Sequence, residues 1–591
     1  MDKLDAEPSV VEVNGPDDID LDWTAVSWRH AEADVQRLRQ RIFTASKAGD
    51  LKKVRNLQKL MLRSRSNALV SVRRVTELNA GRKTPGVDGK VVVLPGVKAD
   101  MANWVQRGCT SWRARPVKRV YIPKSNGKKR PLGIPVIADR ALQAAAVNAL
   151  EPEWEARFEP KSYGFRPGRG CHDAIEAVFA VARGKNAQKL WVLDADLTAA
   201  FDRINHEHLL ASIGGFPARG IVAQWLRAGV MDEGRYAPTV EGSPQGGVIS
   251  PLLLNVALHG METAVGVRYH QTGRNAGAVR GPSPVLIRYA DDLLVLCRSK
   301  EQVEQAKQQL AAWLEPRGLS FNEDKTRIVH LNDGCDFLGF TIRRHRGKLL
   351  TKPSKAAMRR ARQRLTAEMR NLRGAQTAAV IAKLNPFIRG WAAYYRTGVS
   401  KEAFRSLDLH VWKLAYSWAR HRHPKKSKGW IKQRYFGKFH PTRNDTWVFG
   451  DRDTGHYVLR FAWTKIVRHT LVRGTASPDD PTLSEYWAKR QRRRRVDTHV
   501  RLVMLQKQRG RCPICGDLLL LAANEPQHPT EWELWLRAVS HAMRKQWLGT
   551  AAPPGSPDDH AALFLVHTRC QTRWRADGTD LQQADEPLGL A

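Results

Sequence analysis

Apolar side chains recur at helical spacing from Trp28 through Val35, Leu38 and Ile42, stop at Gly49-Asp50, and resume at Leu51, Val54, Leu57, Leu60 and Met61. This predicts a basic helical hairpin. From 79 to 140 the chain is basic and turn-rich, with Thr84-Pro-Gly-Val-Asp-Gly89 and Tyr121-Ile-Pro-Lys-Ser-Asn-Gly127 separating short apolar runs that predict strands. Residues 141–158 have helical periodicity. Lys189–Leu197 reads as a buried strand, and Val285–Cys297 as two apolar strands around a polar turn. Helical periodicity returns from Ala356 to about His423, where many bases are interspersed with Trp391, Tyr394, Tyr395, Trp412 and Trp418. No internal repeat is present.

Composition narrows the class of partner. The 591 residues suffice for about three to six domains at roughly 100 to 200 residues each. Lys and Arg number 97 against 58 Asp and Glu, a formal net charge of +39, which implies a polyanionic partner and above all nucleic acid. A hydrophobic fraction of 42% and 19 Trp exclude a disordered basic tail, because such side chains need cores or stacking surfaces. The first 22 residues reverse the sign, with eight acids against Lys3 alone. A secretory signal needs a basic start and an apolar stretch, so a solvated acidic leader is expected instead. No run of about 18 apolar residues occurs, which argues against a spanning helix and a membrane partner. Of the seven cysteines only Cys512 and Cys515 are close neighbours, so a reducing cytoplasm is expected rather than a disulfide scaffold.

The candidate chemistry lies in two acidic strand ends. Val285-Leu-Ile-Arg-Tyr-Ala-Asp-Asp-Leu-Leu-Val-Leu-Cys297 carries Asp291 and Asp292 between apolar runs, and Leu190-Trp-Val-Leu-Asp-Ala-Asp-Leu-Thr-Ala-Ala-Phe-Asp202 ends in Asp194, Asp196 and Asp202. One Asp-bearing turn is an ordinary hairpin device. Two such ends suit a shared site, because magnesium takes oxygen ligands and usually only one or two carboxylates. Nucleotidyl transfer uses two such ions about 3.5 to 4 Å apart.

Tyr289-Ala-Asp-Asp292 and Asp196-Leu-Thr-Ala-Ala-Phe-Asp202 resemble the palm motifs of reverse transcriptases. Thr84–Gly89, Lys128-Lys-Arg-Pro-Leu-Gly-Ile-Pro135, Ser162-Tyr-Gly-Phe-Arg-Pro-Gly168, Gly242-Ser-Pro-Gln-Gly-Gly-Val-Ile-Ser-Pro251, Gly318-Leu-Ser-Phe-Asn-Glu-Asp-Lys-Thr326 and Phe337-Leu-Gly-Phe340 follow in the order of group II intron-encoded proteins. Leu384-Asn-Pro-Phe-Ile-Arg-Gly-Trp391 and Arg420-His-Arg-His-Pro424 resemble that family's maturase region, and Ile466-Val-Arg-His469 with Ser477-Pro-Asp-Asp480 the stretch beyond it. The match covers roughly residues 25 to 575. It implies that Asp196, Asp291 and Asp292 bind two Mg2+ ions, with Asp194 and Asp202 in support. Phe201 would be the aromatic gate against a ribose 2′ hydroxyl, and Gln245 would lie over the incoming nucleotide. Lys124 and Arg130 would grip its triphosphate, and Lys325 would protonate the pyrophosphate leaving group.

The resemblance implies an α+β right-hand polymerase with several attached parts. These are an acidic leader (1–24), a basic helical N-terminal extension (25–78), fingers and palm (79–345), a helical thumb or maturase domain (346–440), a basic DNA-binding region (441–505) and a C-terminal segment (506–591). The implied activities are RNA-directed DNA synthesis from dNTPs on an RNA template and primer, and binding of a group II intron RNA for splicing and for mobility into target DNA. The location would be a bacterial cytoplasm, on the nucleoid when target DNA is bound. A domesticated reverse transcriptase in defence or repair is the alternative. Most thumb aromatics are expected in the core, which leaves RNA contact to surface Lys and Arg.

The C-terminal segment resembles an HNH endonuclease that has lost its active site. Arg511-Cys-Pro-Ile-Cys-Gly516 and Leu565-Val-His-Thr-Arg-Cys570 frame it, and Cys512, Cys515, His567 and Cys570 make a Cys₃His set suited to Zn2+. Gln527 stands before His528, where the family needs an Asp or His, and Gln571 follows Cys570, where it needs a His. The expectation is a remnant that retains zinc or DNA binding and does not nick DNA.

Overall fold

The computed structural model describes residues 21–107, 111–123, 129–273 and 276–493, and beyond these only short pieces between 508 and 570. Lys124, Gln527, His528 and residues 1–20 lie outside the described residues.

The N-terminal hairpin forms as α1 (Trp28–Lys47) and α2 (Leu51–Arg63), and Asp50 caps α2 by accepting from Lys53 N at 2.9 Å. Its inner face differs from the apolar pattern in one respect. Leu51 and Leu60 are exposed, while Gln58 is fully buried and donates to Glu153 at 2.7 Å. Glu153 also pairs with Arg55, so a polar network joins the buried Val54, Leu57 and Met61 in fixing this hairpin to the body. The leader boundary at 24 falls within folded chain. Trp23 is buried edge-on against Trp28, with its indole donating to Glu77 at 2.9 Å. The turn-rich region also contains a helix, α4 (Pro95–Arg107), after α3 (Arg65–Arg73).

Two four-stranded sheets follow, the first mixed and the second wholly antiparallel. The first has the order β2-β1-β4-β5, from β1 (Val117–Pro123), β2 (Lys129–Ile134), β4 (Val230–Asp232) and β5 (Arg235–Ala237). The second, of order β6-β7-β3-β8, joins β3 (Trp191–Ala195), β6 (Val285–Tyr289), β7 (Asp292–Cys297) and β8 (Arg327–His330). This second sheet is the wall between two hydrophobic cores. Leu293, Val295 and Cys297 face the core shared with α1–α3 and α5 (Ile137–Glu155), while Val192, Leu294 and Leu296 face the core shared with α6 (Cys171–Ala182) and the C-terminal helices. Burial on both faces is why these strands read as continuous apolar runs.

A third sheet, β9 (Cys335–Phe337), β10 (Phe340–His345) and β11 (Lys348–Pro353), leads to the helices Lys355–Asn371, Thr377–Tyr395 and Lys401–Arg422. Trp391, Tyr394, Tyr395 and Trp418 are buried there, and Trp412 is half-buried. The chain then folds back over its own beginning. Asp479 accepts a fork of hydrogen bonds from Arg39 at 2.9 and 2.7 Å, and fully buried Asp173 accepts from His469, Val472 N and Arg490. Within the stretch expected to be a basic DNA-binding region, residues 469–490 therefore work as a structural strap.

Candidate active site

The register of the second sheet brings the acids together. β3 runs antiparallel to β7 with Ala195 opposite Leu293, so one further step places Asp196 opposite Asp292. β6 and β7 form a hairpin in which Tyr289 faces Asp292 across Ala290-Asp291, and Ala290 adopts φ +58°. Asp194 sits one turn of the pleat below, opposite Arg327 of β8. All four acids are half-buried.

Their electrostatics are those of crowded anions. Burial, then the charges of Asp291, Asp196 and Asp194, pushes the Asp292 carboxyl up to about 7. Burial raises Asp291 as well, and Asp196 adds to it while Arg130 opposes it. Asp194 rises to about 6, chiefly through burial. A hard divalent cation would relieve this repulsion, and an all-oxygen donor set is what Mg2+ requires.

The remaining site residues come from separate elements. Lys325 reaches Asp196 through a turn anchored on β3: Asn322 N donates to the Asp196 carbonyl at 2.8 Å, and the Lys325 ammonium ion-pairs with the Asp196 carboxylate. That hydrogen bond raises the Lys325 pKa. Phe201 lies on a short helix just past β3, partly buried, with its ring edge-on to Phe165 at 6.2 Å. Arg130 is exposed on β2, opposite Ile122. Gln245 is tied to the first sheet, where its carbonyl accepts from Gly133 N of β2 at 2.6 Å. Gly246 permits that approach with φ +122°, and a Cβ there would stand 2.7 Å from the Gly133 carbonyl. Asp196, Asp291, Asp292, Lys325 and Arg130 thus share one electrostatic neighbourhood, with Gln245 joined to the strand that carries Arg130. Arg288 was not among the expected site residues. Its signal in the sequence is a charge inside the apolar run Val285-Leu-Ile-Arg-Tyr289.

A second constellation lies near the C-terminus. Cys512, Cys515, His567 and Cys570 place their ligand atoms all within 4.8 Å of one another, a closed cluster of a kind that the palm acids do not form. His567 ends a two-stranded hairpin of Leu548–Ala551 and Phe564–His567, and its Nδ1 is 3.3 Å from Cys515 Sγ. Soft thiolates and an imidazole in a tetrahedral number suit Zn2+.

Comparison with known proteins assigns names to three segments. Residues 122–342 match the family described as reverse transcriptase (RNA-dependent DNA polymerase). Residues 23–104 match the N-terminal domain of reverse transcriptase, and 358–436 the group II intron maturase-specific domain. Protein YkfC of Escherichia coli K12 is 36% identical over 310 residues, 47% of this chain and 81% of that protein. The group II intron-encoded protein LtrA of Lactococcus lactis is 29% identical over 301 residues, 42% of this chain and 50% of LtrA, so about half of that relative's length is matched. A telomerase structure from Candida albicans aligns over 52% of this chain and 58% of its own at 12% identity, with a TM-score of 0.30. Among the described residues no helix is long and apolar enough to cross a membrane.

Proposed function

The chain belongs to the reverse transcriptase family, in the branch that carries a group II intron maturase-specific domain, and from that premise we propose which residues perform RNA-directed DNA synthesis and what else the chain does. Asp196, Asp291 and Asp292 are the acids that hold two Mg2+ ions. Bound there, the ions would supply an activated 3′ hydroxyl and a neutralised triphosphate. The observation that carries this reading is the crowding of carboxylates at the ends of β3 and β7, which raises Asp292 to about 7.

The chain's own residues supply the rest. Arg130 and Lys124 bind the triphosphate, Gln245 packs over the nucleotide, and Phe201 excludes a 2′ hydroxyl by its bulk. Lys325, kept protonated by Asp196, donates a proton toward the leaving pyrophosphate.

A second function has its own support. The helix Lys355–Asn371 buries Ala357, Ala361, Leu365 and Met369 and exposes Lys355, Arg359, Arg360, Arg362 and Arg370. Most of this helix lies within the maturase-specific match. We read it as part of a surface that holds the phosphates of a group II intron RNA in its splicing fold, with target DNA as the partner in mobility. The Cys512–Cys515–His567–Cys570 cluster is a structural zinc site in a segment that does not nick DNA. Changing Asp291 and Asp292 together to Ala separates the two functions. Loss of primer extension with splicing preserved supports both assignments, and unchanged extension sinks the metal site.

A further inference from the structure

The turn that carries Asp291 and Asp292 is strained, and something must hold it. Ala290 keeps a left-handed φ of +58°, which an alanine adopts only where its surroundings impose it. Behind it lies Arg288, 1% exposed. Its Nη1 donates to the Ala290 carbonyl at 3.2 Å and to Asn255 Oδ1 at 2.9 Å. Asn255, fully buried on the helix Ser250–Ala257, donates in turn to the Gly164 carbonyl at 2.8 Å. Gly164 lies flat on the turn, where a Cβ would stand 2.2 Å from Ala290 N. The surrounding backbone is laced to β6, with Tyr163 N donating to the Arg288 carbonyl at 2.9 Å and Arg288 N to the Lys161 carbonyl at 3.0 Å.

A guanidinium so deeply buried is costly to desolvate, and Met or Leu would fill a similar volume without that cost. Neither could donate to a carbonyl inside the turn. Burial lowers the Arg288 pKa to about 10 against the charge of Glu159, so it is charged at neutral pH. We propose that Arg288 and Asn255, closed by Gly164, form a brace that positions the carboxylates of Asp291 and Asp292 for metal binding. The brace holds the Ala290 peptide in its left-handed form and clamps the turn to residues 162–168. The inference rests on the reading of Asp291 and Asp292 as metal-binding acids. A turn held in place limits how far Asp291 and Asp292 must move when ions arrive, and the groups behind a metal's own ligands commonly set its affinity.

The test uses the full chain with Asn255→Ala, Arg288→Lys and, as control, Asp291→Ala. Two quantities are measured: binding of Mn2+ alone, from loss of the free-ion electron paramagnetic resonance signal, and the Mg2+ concentration giving half-maximal primer extension. The brace predicts roughly tenfold weaker Mn2+ binding and a matching rise in the Mg2+ requirement in variants that melt close to the parent. Asn255→Ser, which keeps a donor and an acceptor, should recover part of the loss, and it stands in if Asn255→Ala or Arg288→Lys fails to fold. Unchanged Mn2+ affinity in the folded variants, while Asp291→Ala loses the ion, overturns the brace and leaves the site intact. Unchanged Mn2+ binding in Asp291→Ala overturns the metal site itself.

Discussion

On the proposed reading, the palm acids and the C-terminal cysteine cluster both gather ligands for a cation, from opposite starting points. Asp194 and Asp292 lie on strands, and Asp196 just past one, whose apolar residues fill two cores, so the fold exists first and forces the carboxylates into mutual repulsion. Cys512, Cys515, His567 and Cys570 close to within 4.8 Å around a two-stranded hairpin, an element that on its own is only marginally stable in water. In the first region the scaffold holds the ligands under stress. In the second the ion would be much of the scaffold. Metal removal should therefore abolish chemistry and spare the fold in the first region, and abolish the local fold in the second.

The largest effect expected is on chemistry. Asp291→Ala should lower primer extension by roughly a thousandfold or more, because it removes a ligand to an ion that acts on the reacting atoms. A steady-state assay on an RNA template checks this, and extension within about tenfold of the parent would break the palm side of the comparison. Next in size is the loss of fold at the C-terminus. A Zn2+ chelator, or Cys512→Ser, should abolish hydrogen-exchange protection at Leu565 and Val566 and leave extension by the palm unchanged. Protection that survives chelation would show that the hairpin does not depend on zinc.

Much of the palm was readable in the sequence and much of its support was not. Leu190–Ala195 and Val285–Cys297 announce themselves because strands buried on both faces are apolar at most positions, with charges only at Asp194, Arg288, Asp291 and Asp292. The brace partners Arg288 and Asn255 are 33 residues apart, and Asp173 lies 296 and 317 residues from His469 and Arg490. No local period records such pairs. The helix Pro95–Arg107 was hidden by the turns before it, and Gln58 by the assumption that an inward position is apolar. Lys124 and the HNH-like residues Gln527 and His528 lie outside the described residues.

Two smaller effects sharpen the comparison. Phe201→Ala should raise ribonucleotide incorporation by roughly tenfold or more relative to deoxynucleotides, and an unchanged sugar preference would remove Phe201 from the site. The smallest effect concerns the stress on the acids. The Asp292 carboxyl is raised to about 7 in the fold, above the range of an exposed acid, so ionising it costs stability. That cost is fully present above about 7 and fades as pH falls toward the ordinary carboxylate range. Metal-free protein with Asp292→Asn should thus gain about 1 to 3 kcal/mol more at pH 8 than at pH 5, read from urea midpoints. Equal gains at both pH values would mean that Asp292 is not under electrostatic stress.

The most direct measurement of the central claim is a crystal structure of the full chain with primer, RNA template and an incoming nucleotide, held before reaction with Ca2+ in place of Mg2+. The account predicts two ions about 3.5 to 4 Å apart, ligated by carboxylates of Asp196, Asp291 and Asp292 and by the nucleotide's phosphates. Ions bound elsewhere, or a nucleotide seated away from the ends of β3 and β7, would contradict it.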